Sequence, residues 1–262
     1  MISLEFDVIS SDTIVVKIKN GQEKIKSRGI GMKSVAIITA RGGSKRIPRK
    51  NIKDFCGKPI IAYSIEAALG SGMFEEVMVS TDDEEIADIA RKYGAKVPFM
   101  RSEKTANDFA TTSDVIYEVF EKYNEMGQSF DYACCIYPTA PFITGDKLRD
   151  SMEELVSSGA DCIMPVVKFS YPPQRCFVVK DGGLEYKWPE YRNSRSQDLE
   201  PFYHDCGQFY CFKVPTFMES GQIVSGFVKP LYVPETEVQD IDEQSDWEVA
   251  ELKYKLMNKI WG

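Results

Sequence analysis

The segment "TARGGSKRIPRKN", residues 39 to 51, gathers Arg41, Lys45, Arg46, Arg49 and Lys50 into a few turns of chain. The whole sequence is acidic, with 40 Asp and Glu against 32 Lys and Arg. A local knot of cations in a protein of the opposite charge suits a small polyanion. Gly42 and Gly43 permit positive φ and close backbone approach, and successive N–H groups in such a turn can form an anion nest. Arg41 and Lys45 add charge and Ser44 a hydroxyl, so the loop reads as a triphosphate cradle or, more simply, as a solvated basic turn. It is neither a Walker A loop nor the dinucleotide G-x-G-x-x-G.

A second group lies near the C-terminus, in "VQDIDEQSDW". In extended chain, residues i and i+2 share a face, so Asp240 and Asp242 point one way while Ile241 turns to the core. Two hard oxygen ligands beside a triphosphate suit Mg²⁺. Acids before a helix also serve its dipole; Asp242, Glu243 and Asp246 fit that alternative, with Ser245 and Glu248 as a capping box.

These groups need a scaffold. A length of 262 residues fits one large domain, or one with an insertion. From Lys33 onward short apolar strands alternate with amphipathic helices. The strands are "SVAIITA", "EEVMVST", "AKVPFM", "DYACCIYP" and "ADCIMPVVKF". The helices are "PIIAYSIEAAL", with Pro59 in its first turn, "TDDEEIADIARKYG", capped by Thr81 and Glu84, "TTSDVIYEVFEKYNEMG" and "TGDKLRDSMEELVSSG". The alternation predicts a three-layer α/β/α fold on a mostly parallel, Rossmann-like sheet. The basic loop follows the first of these strands, at the edge where such sheets bind ligands.

The pattern breaks near Phe169. "CFVVKDGGLEYKW" reads as a hairpin turning at Asp181-Gly182-Gly183, and residues 169–204 as an excursion for substrate contacts or dimer formation. "GQFYCFKV" and "FVKPLYVP" return to strand, and a helix closes the chain. Residues 1–31 read as an N-terminal extension of unknown role, with a hairpin turning at Asn20-Gly21; residues 32–262 form the main domain.

Composition excludes several classes. The net charge of -8 argues against a nucleic-acid polymer. No apolar run approaches the length of a membrane helix. Seven cysteines without a CxxC read as reduced thiols of a cytoplasmic protein, and the one histidine, His204, leaves little for histidine metal sites.

"ARGGSKRIPRKN" resembles the N-terminal signature of the acylneuraminate cytidylyltransferase family, which makes CMP-activated nonulosonic acids from CTP. The resemblance runs from about Val35 to the final helix and implies a nucleotide-diphospho-sugar transferase fold. It implies that Arg41, Ser44 and Lys45 hold the triphosphate, with Lys50 near the reacting phosphates and Asn51 on the nucleotide. "FMRSEKTANDFATTSD" resembles the family's cytosine-reading segment, which implies Arg101, Thr112 and backbone near Ala110 at the base edge; Asp108 lies inside it without a clear role. Asp240 and Asp242 match the pair that carries the catalytic Mg²⁺. The implied reaction is a single in-line displacement: the sugar's anomeric hydroxyl attacks the α-phosphorus and pyrophosphate leaves. Lys45, Lys50 and Asp242 are then the catalytic candidates.

The chain departs from sialic acid-activating members at "YPTAP", residues 137–141, where those read "QPTSP". With "FSYPPQR" and "RSQDLEPFYHDCGQFY", this resembles the branch acting on pseudaminic acid, an acidic nine-carbon sugar. Candidate sugar contacts are Tyr137, Gln174, Arg175, Arg195, Gln197, Asp198, Tyr203 and Gln208. Either Arg175 or Arg195 could grip the sugar carboxylate, or each could serve in a structural ion pair. The alternatives are another acidic keto sugar (N-acetylneuraminate, legionaminate or 3-deoxy-octulosonate) and a silent nucleotide-binding module. The resemblance also implies a homodimer.

Overall fold

The computed structural model describes residues 5–10, 13–17, 23–27 and 33–260. Two units result, Met1–Lys33 and Ser34–Gly262. In the first, β1 (Glu5–Ser10), β2 (Thr13–Lys17) and β3 (Glu23–Ser27) form an antiparallel sheet in that order. Asn20 and Gly21, where the sequence suggests a turn, lie outside the described residues.

The second unit begins with β4 (Ser34–Thr39), whose alternate side chains feed two apolar clusters. Ala36 and Ile38 face one side, Val35 and Ile37 the other. A strand buried on both faces needs a layer on each. The first layer is supplied by α1 (Ile60–Ser71), α2 (Glu84–Lys92) and α5 (Gly145–Ser157). The second comes from α4 (Thr112–Glu125) and the short α6 (Val214–Ser220). A four-residue helix, α3 (Glu103–Ala106), leads into α4.

The central sheet adds β7 (Glu76–Ser80), β8 (Tyr132–Ile136), β9 (Cys162–Lys168), β12 (Tyr203–Asp205), β13 (Phe209–Lys213) and β14 (Val228–Tyr232) to β4. Its order is β12-β9-β13-β8-β4-β7, with β14 parallel to β9. β7, β4 and β8 run parallel, while β13 is antiparallel to β8 and β9, and β12 to β9. The sheet is therefore mostly parallel. A ribbon of β5 (Asp54–Phe55) and β6 (Lys58–Pro59) precedes α1. Among the described residues no helix is long and apolar enough to cross a membrane.

Three local expectations change. "AKVPFM" is not a strand: Lys96 bridges to β7, then Pro98 lacks the N–H that a ladder needs. Asp83, not Thr81, caps α2 by accepting from the Ile86 N–H, and Pro59 stands at the N-cap of α1 rather than inside it. The hairpin of β10 (Phe177–Lys180) and β11 (Gly183–Tyr186) turns as expected through Asp181 and Gly182, both at positive φ.

The closing helix, α7 (Gln244–Met257), places Trp247 in a separate cluster with Ile47, Phe55, Tyr63, Phe142 and Ile241. Phe55 meets Trp247 and Tyr63 edge to face, at centroid distances of 5.4 and 5.6 Å. This packing joins the basic loop, through Ile47, to the acidic segment, through Ile241.

Candidate active site

The C-terminal ends of β4, β7 and β8 are neighbours, and the loops leaving them converge. Chain leaving β4 is the basic loop. Asn51 is buried and donates from Nδ2 to the Arg41 carbonyl at 2.8 Å, closing the loop on itself. From β7, Asp82 accepts the Gly42 N–H at 2.9 Å, and Asp83 pairs with Arg49 at 2.5 Å. Arg49 also pairs with Glu85 and adopts positive φ, turning the chain into the single turn Lys50–Ile52. Arg49 holds the Asp83 carboxyl below its usual range, the side-chain bond being the largest cause.

The glycines act differently from expectation. Neither Gly42 nor Gly43 sits at positive φ. Gly42 is needed for space, because a Cβ there would lie 2.7 Å from an Asp83 carboxylate oxygen. Its N–H is spent on Asp82, and the Ser44 N–H returns to the Gly42 carbonyl. Those two groups serve the protein, so side-chain cations dominate what the loop offers an anion.

A cleft of about 440 Å³ opens beside the loop. Arg41, Ser44, Lys45, Arg46, Lys50 and Asn51 line it on the loop side. Tyr137, Pro138 and Thr139 follow β8, and Asp108 and Asp242 complete the wall. A second recess of about 200 Å³ shares Thr39, Arg41 and Asp108 with the first. Arg101, Ala110 and Thr112 line this recess. Arg101 is 9% exposed and is fixed by bonds to the Ser80 hydroxyl and carbonyl, at 3.1 and 2.6 Å. Burial pushes its guanidinium down to about 10, so it stays charged at neutral pH.

Glu118 of α4 anchors the segment that carries Arg101. It accepts from the Ser102 N–H and hydroxyl, both at 2.8 Å, from Thr105, and from Lys122. Burial alone would raise this carboxyl; the bonds outweigh burial and bring it down to about 2.

The acidic segment alternates as its spacing predicts: Asp240 exposed, Ile241 buried, Asp242 half-buried. The helix start uses Glu243 and Asp246 as its capping box, in place of Ser245 and Glu248. Asp246 accepts the Asp242 and Glu243 N–H groups. The Asp242 side chain is thereby free for the cleft, where it meets Arg46 at 2.8 Å and Lys50 at 3.8 Å. Lys50 donates to the Ile241 carbonyl at 2.6 Å, and burial lowers its ammonium despite Asp242 and Asp240 nearby.

Of the sugar candidates, Tyr137 alone lines the cleft among the described residues. Its hydroxyl lies 3.5 Å from Thr112 Oγ1, and its ring meets Tyr210 edge to face. Burial raises its phenol. Gln208, just before β13, is buried and donates to the Glu237 carbonyl at 2.6 Å. Gln174 is buried and donates to the Glu200 carbonyl. Arg175 bonds Ser196, Arg195 forms a two-pronged pair with Asp198, Gln197 is exposed, and Tyr203 stacks near Tyr232. His204 is exposed beside the Phe169 ring.

Sequence reasoning assigned no role to Arg46, Arg49, Asp82, Asp83 or Glu118. The first four were visible in principle, because Arg46 and Arg49 belong to the cationic knot and "STDD" leaves the strand beside β4. Glu118 carried no signal beyond a polar position on α4.

Known proteins resemble this chain over most of its length. Residues 35–179 match the Cytidylyltransferase family. The chain is 42% identical over 226 residues to a pseudaminic acid cytidylyltransferase of Campylobacter jejuni, covering 86% of this chain and 97% of that one. It is 38% identical over 235 residues to a CMP-N,N'-diacetyllegionaminic acid synthase of Legionella pneumophila, with the same coverages. A solved CMP:2-keto-3-deoxy-manno-octonic acid synthetase complexed with CTP superposes with a TM-score of 0.63 at 20% identity, over 87% of this chain and all of that one. That last likeness concerns the fold alone. The chain belongs to the cytidylyltransferase family.

Proposed function

We propose that the protein transfers CMP from CTP to the anomeric hydroxyl of pseudaminic acid, releasing pyrophosphate, in the cytoplasm and as a homodimer. The observation that carries the reading is the meeting of Lys45 and Asp242 on one cleft, beside a recess that holds a fixed Arg101. Four cations against two carboxylates leave the cleft formally positive. The excess is about the charge left on a triphosphate carrying one divalent ion. The likeness to the Campylobacter jejuni protein named for pseudaminic acid supports the choice of sugar.

In this reading the base lies in the Arg101 recess, where a donor-only guanidinium faces the acceptor edge of cytosine. The phosphates lie along Arg41, Ser44 and Lys45. Lys50, half-buried and fixed on the Ile241 carbonyl, neutralises charge that builds on the α-phosphate. Tyr137 stands where the acceptor enters. Asp242 and Asp240 fit Mg²⁺ as hard oxygen ligands. No group of three or more candidate ligand side chains occurs among the described residues. Mg²⁺ takes one or two carboxylates and completes its shell with phosphate and water. When bound there, Mg²⁺ would supply Lewis-acid polarisation of the phosphate and acidify the attacking hydroxyl.

Dimerisation is assigned to the 169–204 excursion, whose apolar side chains Tyr171, Val179 and Leu184 are at least 70% exposed. The seven cysteines are free thiols, in keeping with a reducing compartment.

The test is pyrophosphate release from CTP with a panel of nonulosonic acids. Release with pseudaminic acid and Mg²⁺, and little with N-acetylneuraminate, is expected. Asp242→Ala should lower turnover by about 10³-fold while CTP still binds. Preference for UTP or GTP, or unchanged turnover in that variant, would refute the assignment.

A further inference from the structure

We propose that Asp108 is a resident counter-anion of the phosphate cradle, which every phosphate ligand must displace and which eases the release of pyrophosphate. The inference rests on reading the basic loop as that cradle. Asp108 Oδ1 lies 2.6 Å from Arg41 Nη1, and Oδ2 lies 2.6 Å from Lys45 Nζ. One carboxylate oxygen is thus spent on each cation, much as a phosphoryl group would divide its oxygens. These pairs cross 67 and 63 residues of chain, so they are not a by-product of local spacing.

The loop around Asp108 does not need this side chain to keep its shape. Asn107 Oδ1 accepts the Phe109 and Ala110 N–H groups, and Asn107 Nδ2 donates to the Lys104 carbonyl. Thr111 and Asp114 then form the capping box of α4. Among the described residues, the Asp108 carboxylate bonds Arg41 and Lys45 alone. It also lines both the cleft and the adjoining recess, at the junction a nucleotide must cross.

All three side chains are substantially exposed, at 41%, 81% and 45% for Arg41, Lys45 and Asp108. Exposed pairs are weak, so a ligand of higher charge can displace Asp108. Pyrophosphate, CMP and CTP alike must break the same two pairs, and pyrophosphate has no base to place in the Arg101 recess. A triphosphate whose base is seated in the Arg101 recess replaces both pairs and gains the recess as well. Asp108 therefore weakens the binding of each phosphate ligand by a similar factor, and it eases product release.

Calorimetric titration of the full chain with pyrophosphate, CMP and CTP tests this, using wild type, Asp108→Asn and Asp108→Ala. Both variants should bind pyrophosphate, CMP and CTP about three- to ten-fold more tightly, because each ligand displaces the same side chain. Equal or weaker pyrophosphate binding in both variants, with melting temperatures unchanged, overturns the proposal. An Arg41→Ala, Lys45→Ala double variant separates the two levels of inference. If it binds CTP as wild type does, the cradle assignment itself fails. If it loses CTP while Asp108→Asn gains nothing for pyrophosphate, only the counter-anion role fails.

Discussion

Arg101 and Arg195 are both arginines that the sequence nominates for ligand binding, and the structure gives them opposite surroundings. Arg101 is 9% exposed, held on Ser80, and backed by a segment that Glu118 ties to α4. The Arg195 side chain is 71% exposed and spends its guanidinium on Asp198, three residues away. On the nucleotide side, side chains are fixed before any ligand arrives. On the acceptor side, Arg175, Arg195, Gln197 and Asp198 pair with close neighbours or face solvent. A preorganised group loses little entropy on binding, whereas a self-paired one must first exchange partners. The comparison suggests a rigid nucleotide reader coupled to an adaptable acceptor reader.

The most damaging way to probe that contrast is Arg101→Ala. It should raise KM for CTP about 30- to 100-fold, as expected for loss of a buried charged donor, and leave KM for the sugar within about two-fold. Steady-state kinetics with each substrate varied would show it; equal effects on both substrates would dissolve the distinction. Glu118→Gln comes next. Loss of the charge-assisted bonds should cost about 1–3 kcal/mol of stability and raise KM for CTP several-fold, with little change in kcat. The carboxyl sits near 2 in the folded protein, below its ordinary 4.5. Its stabilisation is therefore complete above pH 4.5 and is lost as pH falls toward 2. Thermal melts from pH 7 to 2 should show the gap between wild type and variant narrowing below pH 4.5 and closing toward pH 2. Arg195→Ala should be mildest: CTP kinetics unchanged, and KM for the sugar raised less than about ten-fold. A large effect on CTP would place the excursion within the nucleotide site.

The same contrast explains what could be read from the amino acids alone. β4, β7 and β8 are continuous apolar runs bounded by turn signals, and the phosphate-type loop is contiguous, so residue types and local spacing sufficed for both. The Asp240–Asp242 alternation was legible because one buried isoleucine fixes the pleat. "AKVPFM" misled because its composition favours a strand while Pro98 and the path toward Arg101 end the pairing after one bridge. The glycine expectation failed for a different reason: Gly42 is constrained by the Asp83 carboxylate, 41 residues further on, and no local pattern encodes that contact. Glu118 and Asp108 act through bonds between separate elements and were invisible for the same reason. Within 169–204 the segments are short, exposed and aperiodic, so neither helical nor strand spacing could orient their side chains.

The apolar cluster beneath the cleft has a practical corollary. Ile47 and Ile241 set how far apart the basic loop and the acidic segment stand, through Trp247, Phe55 and Tyr63. Buried apolar contact carries most of that spacing, and the partly exposed Arg46–Asp242 pair adds a weaker tie across it. Polarity can then be rewritten one side chain at a time without dismantling the frame, which makes this wall a natural platform for engineering new donors or acceptors.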